Sequence, residues 1–226
     1  MRHVAAALLF GFVCFLPGGV TSAQQQPGPD GGATEAQLKS AEVELPLLIK
    51  ALELKPGSAI ADVGAGFGAW TIAFSKAVGP TGRVYASDIG AQQIAALNRA
   101  VERQRLGNVT VLEAGERATN LPVGCCDAIL IRDAYHHFTQ PADLTRSVAA
   151  ALKPGGRLLV VDFPPRPGTE VPAGVPANRR GHGVPPEVVA AELTAAGLTH
   201  VRTDLQWSAA SQPASLFSVL FQKPGR

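Results

Sequence analysis

The chain is poor in the features that mark several common classes of protein. It carries only three cysteines, Cys14, Cys125 and Cys126, whose spacing forms neither a metal-binding pattern nor a redox pair. Two of them are adjacent, and adjacent cysteines seldom bond to each other because the ring is strained. Basic and acidic residues nearly cancel, at 20 against 18, and no basic run or stripe stands out, which argues against a nucleic-acid groove. No internal repeat is visible. What remains is 226 residues, 46% of them hydrophobic, enough for one globular domain with a real core. A small-molecule substrate is the starting expectation.

The first residues are of a different kind. Arg2 and His3 precede an apolar run from Val4 to Leu16, which Pro17, Gly18 and Gly19 break and the small residues Thr21, Ser22 and Ala23 follow. That layout predicts a signal peptide over 1–23 and an exported protein, periplasmic or secreted. The run is too short for a comfortable membrane span, so no stable membrane insertion is expected. An uncleaved anchor and a cytoplasmic chain are the alternatives. Residues 24–33, rich in Gln, Pro and Gly, predict a flexible leader, and 34–226 are the folded domain.

Within that domain, short apolar runs alternate with stretches of helical period. A helical pattern covers Thr34 to Leu54, with Pro46 opening a second helix. Strands are expected at Ala59–Val63, Arg83–Ile89, Val109–Leu112, Asp127–Arg132 and Arg157–Phe163. Helices fall between them, and Lys153 to Gly156 forms a turn. This alternation predicts a parallel sheet with helices on both faces and ligands at the carboxyl ends of its strands. Pro164 to Pro185 is long and dense in Pro, Gly and Arg, as functional or disordered loops are. One more helix and two strands, His200–Trp207 and Leu216–Gln222, close the chain.

The most informative stretch is AIADVGAGFGAW, Ala59 to Trp70. Its order of apolar run, three alternate glycines and helix reads as a turn that lets a ligand approach the main chain while a helix N-terminus points at it. Gly64, Gly66 and Ala69 also satisfy the dinucleotide fingerprint, with Asp88 at the distance of a ribose-binding acid. Asp62 two residues before the first glycine, the third glycine Gly68, and LKPG before both the first and the fifth strand narrow the reading.

On those residues the chain resembles the class I S-adenosylmethionine-dependent methyltransferases, and within them a bacterial group with a YHHF-type segment, here Tyr135 to Phe138. The resemblance implies a Rossmann-like three-layer α/β sandwich whose seven-stranded, mostly parallel sheet ends in an antiparallel strand. It implies that Asp62, Gly64, Ala65 and Gly66 line the methionine part of the cofactor. Asp88 would hold the ribose, Ile89 would lie against the adenine, and Arg132 and Asp133 would face the transferable methyl. Where many relatives place an Asp near the adenine, this chain has Gly115, and Glu116 is the substitute. Asp133 and Tyr135 are expected to shape the acceptor site, with His136 the first candidate for a general base; His137 and His182 are weaker candidates. Arg166, Arg179 and Arg180 hint at an anionic acceptor. No metal is expected, and the oligomeric state is open. Two other readings stay open: an NAD-dependent oxidoreductase, and a secreted non-catalytic nucleotide-binding module of the same fold.

Overall fold

A computed structural model describes residues 27–207 and 216–225. The expected signal peptide, the start of the leader and the connection 208–215 lie outside the described residues. The elements, in order, are α1 (Glu35–Leu52), β1 (Ala59–Val63), α2 (Ala69–Val78), β2 (Arg83–Asp88), α3 (Ala91–Gln104), β3 (Val109–Glu113), β4 (Cys126–Arg132), α4 (Pro141–Ala151), β5 (Leu152–Asp162), α5 (Pro186–Ala195), β6 (Thr199–Trp207) and β7 (Leu216–Gln222). They build one seven-stranded sheet of order β3-β2-β1-β4-β5-β7-β6. β1 to β5 are parallel, and β7 runs antiparallel between β5 and β6.

The period of two along each central strand sorts its side chains to opposite faces. Ile60, Leu130, Leu159 and Val161 meet Leu48 and Leu52 of α1 and Phe74 of α2. Ala61, Ile129, Ile131 and Val160 meet Val148 of α4 and Val189 and Leu193 of α5. The strand centres are wholly excluded from water, and each such aliphatic side chain contributes about 1.5–3 kcal/mol of burial.

Four local expectations change. α1 runs unbroken through Pro46, because the proline sits on the exposed face, where water can satisfy the carbonyl that its missing N–H leaves open. Thr34 and Gln37 close a capping box at its start. Residues 27–33 of the leader form a turn, with the Gly28 N–H donating to the Gly32 carbonyl at 2.7 Å, fastened to α3 through Asp30–Arg103. The turn Lys153 to Gly156 is absorbed into β5 as an irregularity, since pairing jumps from Cys126–Leu152 to Ala128–Arg157. Finally, Cys125 and Cys126 are joined as a vicinal disulfide at the start of β4, against the expectation that neighbours stay apart.

Candidate functional site

The chain leaves β1 toward β2 and β3, then crosses to β4 on the other side. A crevice therefore opens at the carboxyl ends of β1 and β4, where open α/β sheets bind ligands. There the structure holds a cavity of about 590 Å³. Asp62, Gly64, Ala65, Gly66, Asp88, Ile89, Glu116, Arg132 and Asp133, all expected site residues, line it.

Its floor is the glycine turn. The N–H groups of Gly64 and Ala65 donate to the Ser87 carbonyl at 2.8 and 3.1 Å, folding the turn against the end of β2. Gly64 lies at φ 73°, and a Cβ there would stand 2.4 Å from the Ala134 Cβ. Gly66, at φ 55°, would meet nothing within 4 Å. Asp88 accepts the Gly66 N–H at 2.8 Å through Oδ2 and the Gly90 N–H at 3.0 Å through Oδ1. A carboxylate has about four acceptor positions, so two remain for hydroxyls of a ligand. An open glycine cradle beside an acceptor-rich carboxylate suits a nucleoside, and the cavity lies within the roughly 300–1,000 Å³ usual for such ligands.

Behind the turn sits a buried polar network that the sequence did not announce. Glu44 of α1, 1% exposed, accepts from Arg132 Nε at 2.7 Å, Trp70 Nε1 at 2.8 Å and Trp207 Nε1 at 2.7 Å. The Arg132 guanidinium lies 3.9 Å from the centre of a Trp70 ring, a cation–π arrangement. Trp70 and Gln37 also line the cavity. Asp62 is buried and accepts from Thr71 Oγ1 at 2.7 Å. Burial, seconded by the Asp88 charge and opposed by Thr71 and Arg132, raises its pKa to about 6.

On the far wall the chain turns sharply after β4. Asp133 adopts φ 53°, sparsely populated for a residue with a side chain and frequent at functional sites. Burial, with the Asp162 charge behind it, raises the Asp133 pKa to about 6, while His136 and the arginines pull the other way. Residues Tyr135–His137 then form one turn of 3₁₀ helix and diverge. Tyr135 enters the core, fully buried, and its hydroxyl donates to Glu192 Oε2 at 2.8 Å; it does not line the cavity. Tyr135→Phe is therefore expected to lower stability by about 1.5–3 kcal/mol, the range for a hydrogen bond to a charged group, with cofactor affinity unchanged by calorimetry.

His136 is also withdrawn, at 1% exposure. Asp162 at the end of β5 takes its Nδ1 at 2.9 Å and its backbone N–H at 3.2 Å. Burial lowers the His136 pKa, but the Asp162 charge and hydrogen bond outweigh it and the net shift is upward. His137 does reach the cavity, and burial together with the neighbouring His136 and His182 lowers its pKa to about 4. One ring nitrogen from each of His136, His137 and His182 lies within 4.8 Å of the others, a cluster that chain spacing did not reveal. Of the loop arginines, Arg179 is wholly buried in a two-pronged pair with Glu192 at 2.8 and 3.0 Å. Arg180 pairs with Glu187, and Arg166 lies over Phe163.

Residues 60–156 match the family model of a methyltransferase domain. The chain is 33% identical over 123 residues to a ubiquinone/menaquinone biosynthesis C-methyltransferase, UbiE, of Ectopseudomonas mendocina (strain ymp), an alignment covering 54% of this chain and 48% of that protein. It thus spans about half the length of the curated relatives it matches. In fold it is similar to a SAM-dependent methyltransferase from Aquifex aeolicus, with TM-score 0.63 and 23% identity over 84% of this chain and 98% of that one. It is also similar to the cyclase SpnF, with TM-score 0.65 and 17% identity over 90% of this chain and 88% of that one. The second neighbour is named for cyclisation, a reminder that a fold hosts more than one chemistry.

Proposed function

We propose that this chain is an S-adenosylmethionine-dependent methyltransferase that alkylates a small-molecule acceptor. The observation that carries the reading is the cradle formed by Gly64, Gly66 and Asp88 at the switch between β1 and β4, inside the segment that matches a methyltransferase domain. An oxidoreductase is not favoured. β7 runs antiparallel where the dinucleotide fold continues in parallel.

When bound, S-adenosylmethionine supplies an electrophilic methyl carbon on a sulfonium. Asp88 would hold the ribose, Ile89 and Glu116 would flank the base, and Asp62 with Gly64, Ala65 and Gly66 would hold the methionine end. Arg132, held by Glu44 and stacked on Trp70, fixes the wall from which Asp133 projects. Most of the rate effect in such a transfer comes from alignment of donor and acceptor. Beyond Arg132, Asp133 and His137 are the ionisable side chains of the β4 exit that meet the cavity, and they replace Tyr135 and His136 as the residues in reach of an acceptor. The matched segment ends at residue 156, before the loop that carries His182, so it speaks for the cofactor half of the site rather than the acceptor half.

Calorimetry with S-adenosylmethionine, its demethylated product and NAD tests the reading. Tight binding of the first two without NAD supports it, and the reverse sinks it. Demethylated product formed against an acceptor panel separates an enzyme from a binding module, the second reading, which export away from the cofactor's source would favour.

Asp62 gives the affinity a pH dependence. In the free protein its raised pKa favours the protonated acid, a stabilisation complete below the unfolded value of 3.8 and lost as pH rises through about 6. The ammonium of the methionine end favours the carboxylate. Affinity should therefore be greatest near pH 7, below the titration of the ammonium itself, and weaken below pH 6, approaching about tenfold per pH unit where one proton must leave on binding. Asp62→Asn should bind more weakly at neutral pH and lose that slope in the same titration.

We also infer export. The basic, apolar and small-residue order of residues 1–23 supports it, as does a disulfide, which persists in oxidising compartments. Fractionation with N-terminal sequencing tests it; an intact Met1 on a cytoplasmic protein overturns it.

A further inference from the structure

We propose that His136, His137 and His182 bind a divalent transition-metal ion, zinc or one of similar taste for imidazole, leaving a coordination position open for water or a ligand from the cavity. The inference stands apart from the methyl-transfer reading and survives its failure.

Three observations carry it. One nitrogen from each ring already lies within 4.8 Å of the other two, so small side-chain shifts bring all three to the roughly 2.0–2.1 Å of a zinc–imidazole bond. His136 has a divided role: Asp162 holds Nδ1 at 2.9 Å, while Nε2 is buried with no hydrogen-bond partner among the described residues. A carboxylate fixing one ring nitrogen so that the other can ligate is the usual second layer of a histidine metal site. Asp162 is itself anchored, since it also accepts the backbone N–H groups of His136 and Phe163.

The third histidine is delivered by backbone, not by chance. His182 lies far along the chain, in the Pro/Gly/Arg loop, yet its carbonyl accepts from the Arg166 N–H at 2.9 Å and its N–H donates to Thr169 Oγ1 at 2.8 Å. The next anchor is the Val184 N–H, which donates to the Phe163 carbonyl at 3.1 Å. Gly183 makes the close approach possible, because a Cβ there would stand 2.6 Å from the Pro164 carbonyl oxygen. Three protein nitrogens with one position open is the layout of zinc sites that bind a reactant, and imidazole ligands suit zinc, copper, nickel and iron rather than magnesium or calcium. His137 lines the cavity, so the proposed site lies beside it.

The test uses untagged full-length protein, stripped with a chelator and titrated with Co²⁺ by visible absorption and with Zn²⁺ against a chromophoric competitor. One equivalent is expected, with a cobalt spectrum of nitrogen ligation and a rise in melting temperature. Asp162→Asn should weaken binding about 10- to 100-fold. His182→Ala should abolish stoichiometric binding, and His200→Ala, altering a histidine bonded to Thr203 on β6, should not. Should His182→Ala fail to fold, His137→Gln on the cavity side of the cluster gives the same discrimination. Substoichiometric uptake by the parent protein, or one equivalent retained by His182→Ala or His137→Gln, overturns the site.

Discussion

Gly64→Ala is expected to abolish binding of S-adenosylmethionine and to cost about 2–4 kcal/mol of stability, combining left-handed backbone strain with overpacking. The backbone at φ 73° disfavours any side chain, and the new methyl would stand 2.4 Å from the Ala134 Cβ, which is part of the β4 exit and cannot rotate away. Relief requires moving either the glycine turn or the Asp133 corner, and both are walls of the cavity. Gly66→Ala is the informative partner. Its Cβ meets nothing within 4 Å, so only the strain remains, about 1–2 kcal/mol, and the added methyl projects into open space beside the cradle. Denaturant unfolding should separate the two variants by the packing contribution, and calorimetry should show both impaired for the cofactor. Equal stability of the two would mean that the turn yields to the Ala134 contact without cost.

The second large effect belongs to Glu44. Glu44→Ala removes the acceptor shared by Arg132, Trp70 and Trp207 and leaves a guanidinium in a site 3% exposed without its carboxylate. Breaking one side of such a buried pair costs about 3–5 kcal/mol, much of the margin of an ordinary domain. Replacing both partners, as in Glu44→Leu with Arg132→Met, should restore part of that loss, because the buried cation goes with its carboxylate. Recovery stays partial, since the two indole N–H groups still lack an acceptor at about 1–3 kcal/mol each. Cofactor binding should not recover in the double variant, because Arg132 is itself a wall of the cavity. Thermal melts beside calorimetry distinguish stability regained from function regained. A single Glu44→Ala that melts with the parent would show the network to be redundant.

How far the site could be read from the chain depended on whether its parts are local. The glycine turn and Asp88 were legible because each is fixed by neighbours in sequence: an apolar strand, glycines where the turn demands them, an acid at the next strand's end. Glu44 was not. On α1 it looks like any solvated acid, and only the return of Trp70, Arg132 and Trp207 from other elements makes it a hub. Tyr135, His136 and His137 were adjacent in one motif, but a 3₁₀ turn advances about 120° per residue. It therefore sends one side chain to the core, one to Asp162 and one to the cavity, a division that spacing cannot announce. His182 meets them through the pairing of Arg166 with His182 across a loop whose composition pointed to function or disorder without saying which residues it would bring to the β4 exit. The vicinal disulfide ran against a sound general rule, and Pro46 was a break in sequence but not in α1 because it faces solvent.

The position of β7 has a consequence for how the protein is made. A chain emerges from synthesis in order, but neighbouring strands of this sheet do not follow one another in that order. Among the described residues β6 pairs with β7 alone, and β7 is also the second neighbour of β5, beside β4. Until Leu216–Gln222 arrive, Thr199–Trp207 have nothing to pair with and the flank of β5 is an open edge of the kind that recruits other chains. The five parallel strands with the glycine cradle need no residue beyond β5, although β1 and β4 must meet across the whole β2–β3 segment, whereas the other flank waits for Leu216–Gln222 to supply the partner of both β5 and β6. The C-terminal strand thus acts as the latch of the whole sheet.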